Sequence, residues 1–179
     1  MAEPTSARRW VGRVIFPLLV AAIALVQLLP IRTTPTIFPM PDVILCLTCL
    51  WVARRPDLVP VWIVAGIFLL SDIFFQRPPG LMAGLVVILT EVLRRRASAL
   101  RSMSFVAEWT IVGVGIVALT IANRSVLIIA LADRAPLGPV MLQLMLTVMI
   151  YPALAFANMI AFGINRPGLG EVDAFGRPL

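Results

Sequence analysis

Long apolar runs bounded by arginine and proline constrain this chain more than any other feature. They occupy residues 14–29, 42–53, 58–75, 80–93, 105–122 and 140–162. A helix of about 20 apolar residues crosses the hydrocarbon of a bilayer. Only 13% of the 179 residues are charged, and mean hydropathy is +0.99. Soluble domains carry roughly 25% charge. A soluble globular domain, a disordered chain and a disulfide scaffold are therefore excluded. At roughly 30 residues per span with its connection, the chain accommodates about six spans. That leaves no space for a nucleotide-driven motor or a soluble catalytic module. The expected fold is all-α, a polytopic membrane bundle of about six helices over 14–162. Short tails at 1–13 and 163–179 flank it.

The breaks between runs have their own chemistry. The first run follows a basic segment with Arg8, Arg9 and Arg13. No small-x-small cleavage pattern follows it, so it reads as a retained span rather than a signal peptide. Pro17 is expected in its first turn, where a missing N–H matters little. Prolines 30, 35, 39 and 41 make the next connection extended and rigid. The second run is short and needs neighbours to reach membrane depth. Asn123 and Arg124 are expected to interrupt the fifth span, leaving 126–132 as an outer-surface extension or interfacial piece. Pro152 is expected to kink the sixth, because it lacks an N–H and clashes with the Val148 carbonyl.

All 15 basic residues are arginine, against nine acids, for a net charge of +6. Nucleic-acid binding is a poor reading of that excess in so apolar a chain. Arginines at span ends instead set orientation and meet anionic lipid head groups. With the N-terminus in the cytoplasm, eleven of the 15 arginines fall on inner segments. Arg32, Arg77, Arg124 and Arg134 fall outside. The expectation is an even span count with both termini cytoplasmic.

Acids in or beside spans are the usual functional candidates in a membrane protein. Asp42 and Asp72 are both expected near the outer face, together with Arg32 and Arg77. They form a candidate partner contact there, unless each acid caps a helix or pairs with an arginine. Glu91 precedes Arg94 and Arg95 at spacings that favour a local ion pair. Glu108, one turn into the fifth span, could pair with the arginine run or with another chain. Tyr151 and Asn158 are candidates for hydrogen bonds between helices. Small residues allow close helix approach in lipid. Gly80 with Gly84, and Ala153, Ala157 and Ala161 with Pro152 beside them, are the helix-packing candidates. Gly113 and Gly115 thin the fifth span. Cys46 and Cys49 read as packing residues inside an apolar run. No GxSxG, HExxH, P-loop or dinucleotide motif occurs, and there is no histidine. No catalytic residue, cofactor site or metal site is expected.

The order of the motifs resembles a known family. Pro41-Asp42 opens a short span, and GIFLLSD over 66–72 closes the next. QRPPGLMAGL follows over 76–85, and LQLMLTVMIYP over 142–152 lies in the last span. This order, with the tail GEVDAFGRPL, is similar to the rod shape-determining MreD proteins of alphaproteobacteria. The resemblance implies a non-catalytic inner-membrane component of the cell-elongation machinery that makes peptidoglycan. Its implied partners are MreC, the actin-like MreB, and the pair of RodA and a class B penicillin-binding protein. The family's fold resembles the membrane subunits of energy-coupling-factor transporters. That supplies the alternative, a vitamin-like binding subunit. Sparse aromatics and short, proline-stiffened outer loops favour the scaffold.

Overall fold

A computed structural model describes residues 4–28, 39–75, 78–132 and 136–162. The described residues are all helical or loop, with seven α-helices. These are α1 (Pro4–Leu28), α2 (Val43–Arg54), α3 (Val61–Phe74), α4 (Leu81–Arg95), α5 (Ala97–Ser102), α6 (Phe105–Ile129) and α7 (Leu137–Phe162), with one 3-10 turn at Pro56–Leu58. The six apolar runs thus each become one helix, and the six-residue α5 is a connector on the short link to α6. Two helices, α6 and α7, are long and apolar enough to cross a membrane alone.

Helix α2 is the axis of the bundle. Every residue from Ile44 to Arg54 is buried, and α1, α4, α5 and α7 pack around it. A helix that is apolar on all sides belongs inside a protein rather than at its surface. Trp51 is its largest side chain and meets Phe16 of α1, ring centroids 5.3 Å apart. The hairpin α3–α4 lies against one flank, and α6 and α7 close another.

The helices alternate in direction, which sorts the polar groups by end. Arg13 of α1 donates to the Asp57 carbonyl at 3.3 Å. Arg94 of α4 donates to the carbonyls of Pro56 and Val59 at 2.9 and 2.7 Å. Arg54, Arg55, Arg95 and Arg96 share that end. The opposite end carries Asp42, the start of α4 and the first turns of α7.

Three local expectations are corrected. The basic segment is not a separate tail, because α1 begins at Pro4 and runs through Arg8, Arg9 and Arg13. Proline at the first helical position forfeits only an N–H that has no intrahelical partner. Pro17 consequently sits mid-helix, where it removes the bond to the Arg13 carbonyl. Asn123 and Arg124 do not interrupt the fifth span, since α6 continues unbroken to Ile129. Their polarity marks depth and breaks no backbone geometry. The helix stops only where Leu131 turns to positive φ, +52°.

Pro152 leaves a carbonyl without its usual donor, that of Val148. The indole Nε1–H of Trp109 on α6 takes that place at 2.9 Å. In a bilayer a freed backbone group has to find such a partner, because no water reaches it. A proline and a tryptophan 43 positions apart in sequence thereby fix the α6–α7 contact.

Candidate functional site

One recess and one buried network each gather polar side chains from several helices. The recess lies at the Asp42 end, holds about 240 Å3, and is lined by Gln27, Asp42, Ser71 and Gln143 with Phe68 and Phe75. Pro41 and Asp42 both line it, immediately ahead of the first turn of α2. Asp42 is the N-cap of α2, its Oδ1 accepting from the Leu45 N–H at 3.0 Å. Its own N–H donates to Thr147 Oγ1 of α7 at 2.9 Å. The Thr147 hydroxyl in turn donates to the Gln143 carbonyl at 2.6 Å, and the Gln143 carboxamide donates to the Met40 carbonyl at 3.1 Å. These bonds clamp α2 to α7. Asp42 is half-buried and lines the recess. One carboxylate, two carboxamides and a hydroxyl beside two phenyl rings suit a donor-rich or cationic segment with an apolar neighbour.

Asp72 has a different role from Asp42. It is fully buried, and its Oδ2 accepts from the N–H groups of Gly80 and Ala83 at 3.0 and 3.2 Å. It caps α4 across the α3–α4 turn, where free N–H groups favour an anion. A carboxylate without exposed surface is closed to a partner, so the expectation of an outward contact gives way to capping. Gly80 itself holds φ +87°, which a side chain would strain. Arg32 and Arg77, the other members of the expected cluster, lie outside the described residues.

The network sits near the arginine end, between α2, α6 and α7. Arg54 Nε meets Glu108 Oε1 at 3.2 Å, and both side chains are less than a tenth exposed. Tyr151 donates its hydroxyl to the same oxygen at 2.8 Å. Next to it, Trp51 Nε1–H donates to Asn158 Oδ1 at 2.9 Å. Tyr151 and Asn158 thus bond across helices, and Glu108 meets Arg54 of α2. Glu91 pairs locally with Arg94 and Arg95 at 3.4 and 3.2 Å, as its spacing implies. Cys46 and Cys49 are free and buried, and the Cys46 thiol donates to the Thr147 carbonyl at 3.0 Å. Among the described residues no three His, Cys, Asp or Glu side chains converge as a metal site.

The packing candidates separate by face. A methyl group on Gly84 would meet nothing within 4 Å, so among the described residues no helix approaches it closely. Ala153, Ala157 and Ala161 lie on the exposed face of α7, while Tyr151, Ala155 and Asn158 face inward. Pro152 is half-buried between these faces. The closest approach falls instead at Gly115, where a Cβ would stand 2.6 Å from Leu89 Cδ1 of α4. Spacing alone marks small residues and does not say which face a helix buries.

The chain matches no family model, no curated protein and no solved structure.

Proposed function

We propose that this chain is an MreD-like scaffold of bacterial cell elongation, held in the inner membrane by six spans with both termini in the cytoplasm. It catalyses no reaction in this reading. The recess receives a membrane-proximal segment of an MreC-like subunit, and the assembly includes MreB and the RodA–penicillin-binding protein pair. The observation that carries the reading is the convergence of the resembling motifs. Pro41-Asp42, the aspartate of GIFLLSD, the glycine of QRPPGLMAGL and the threonine of LQLMLTVMIYP all bond at one end of the bundle. The arginines with described side chains favour the opposite end, which supports a cytoplasmic placement there.

A vitamin-like ligand in the same recess is the competing reading. Small-molecule sites usually enclose roughly 300–1,000 Å3. At about 240 Å3 the recess is small for that class and suits a peptide side chain better. Depletion with cell-shape imaging, run beside vitamin-uptake assays, separates the two. Rounded or swollen cells with normal uptake are expected. Normal rods with one specific uptake defect would assign the chain to transport. Asp42→Asn should lower co-purification of the MreC-like subunit at unchanged membrane abundance. Asp72→Asn, by contrast, should lower abundance, because it weakens the cap on α4.

A further inference from the structure

The bundle does not present the same height of apolar surface all round. Helix α7 has 26 residues and no charged side chain, which makes it about 39 Å long. Helices α3 and α4 have 14 and 15 residues, only about 21 and 22 Å. The hydrocarbon of a typical bilayer is about 30 Å thick. Helix α2 is shorter still, yet it is buried and lipid never reaches it. The α3–α4 hairpin, however, turns Trp62, Leu70, Ile73, Phe74, Ile88 and Val92 outward, each between 47% and 68% exposed.

Both ends of this hairpin are pinned. At the arginine end, Arg94 holds the carbonyls of Pro56 and Val59, just before α3 begins. At the other, Asp72 holds the N–H groups of Gly80 and Ala83. The hairpin can neither slide nor unwind to lengthen itself without breaking these bonds. Tilting would reduce its height further. Helix α3 has no lysine or arginine whose long side chain could snorkel from within the hydrocarbon. Polar groups follow closely at the arginine end: Asp57 is exposed ahead of α3, and the charged Glu91 lies one turn before the end of α4. A short span with no other relief thins the bilayer around it.

We infer that the α3–α4 hairpin is a bilayer-thinning face, fitted to lipid of short acyl chain, while α7 on its own flank meets a bilayer of full height. This rests on the reading of the chain as a multi-pass membrane protein. The fitted lipid is defined by chain length, since the face is apolar and makes no demand on the head group.

The test uses the full chain in vesicles of myristoleoyl, oleoyl or erucoyl phosphatidylcholine. Nitroxide labels are placed singly at Val61→Cys, Phe74→Cys and Met149→Cys. Cys46 and Cys49 have no exposed surface and stay unlabelled. Depth is read from collision with oxygen against a water-soluble nickel complex. In oleoyl vesicles the labels at 61 and 74 should both read head-group depth, and the label at 149 the acyl core. Thermal stability should fall from myristoleoyl to erucoyl lipid. A core reading at 61 or 74 in oleoyl vesicles overturns the thinning with the membrane reading intact. A water reading at 149 overturns the membrane reading itself. Dipolar coupling between copies labelled at Leu70→Cys would show that self-association hides the face, and that also overturns the proposal.

Discussion

Replacing Trp109 by phenylalanine tests whether α6 and α7 are joined through a proline-orphaned carbonyl. The bond is 2.9 Å long and ends on Val148, the residue whose normal donor would be the N–H at position 152. Removing the indole N–H takes that donor away from the half-buried carbonyl, which on the proposed membrane reading water does not reach. An orphaned acceptor costs about 1–3 kcal/mol in protein interiors. Interhelical bonds in bilayers average about 0.6 kcal/mol, with a maximum near 1.7. Trp109→Phe should therefore destabilise by about 1–2 kcal/mol, part of it from the smaller ring. Pro152→Ala restores the helix's own donor to Val148. In that background Trp109→Phe retains only the ring-size effect, so the double-mutant cycle should show a coupling of about 1 kcal/mol. The assay is reversible unfolding in mixed micelles, followed by helical circular dichroism. A coupling below about 0.3 kcal/mol would refute the argument, since the indole bond would then be independent of the proline.

Glu108→Gln should destabilise by about 3–5 kcal/mol, because it removes the carboxylate that meets the buried Arg54 guanidinium; Tyr151→Phe in the same unfolding assay should lose only about 0.5–1.5 kcal/mol. An unfolding midpoint for Glu108→Gln equal to that of the parent would show that Arg54 is balanced elsewhere. Gly115→Leu should overpack the α4–α6 contact by about 1–3 kcal/mol, and Leu89→Ala should recover part of that loss; Gly84→Leu, at an open position, should be close to neutral. If Gly84→Leu is the more damaging of the two on expression and melting, the assignment of helix faces is wrong.

Local relations were readable from sequence, and relations between distant segments were not. The pairing of Glu91 with Arg94 and Arg95 follows from one turn of helix. The same holds for the cap at Asp42, whose carboxylate reaches the N–H three residues on. Helices α1 and α6 extend beyond their apolar runs for a common reason. Hydropathy reports where a segment leaves the hydrocarbon, whereas a helix ends where its backbone can no longer continue. Neither Arg13 nor Asn123 prevents that continuation. Glu108 stood out as an acid in an apolar helix, but its choice of Arg54 depends on how α2 and α6 cross. Asp72 and Asp42 looked equivalent by position. They differ because a turn that returns the chain at once brings N–H groups to Asp72, while Asp42 stands beside a gap between helices.

The enclosure of α2 bears on how the protein is made. Twelve residues give a helix of about 18 Å, too short to be retained by hydrocarbon alone. Its permanent neighbours include α7, whose Thr147 and Asn158 lie more than 100 residues further along the chain. When α2 leaves the ribosome these partners do not yet exist. On the proposed multi-pass reading, it waits at the translocon or the membrane surface until synthesis is nearly complete, and only then takes the centre. Biogenesis is accordingly late and cooperative at the core, with the periphery assembled first. Chains stalled after residue 130 should leave Cys46 and Cys49 open to thiol reagents that the finished protein excludes, and protection before α7 emerges would show that α2 is seated without it.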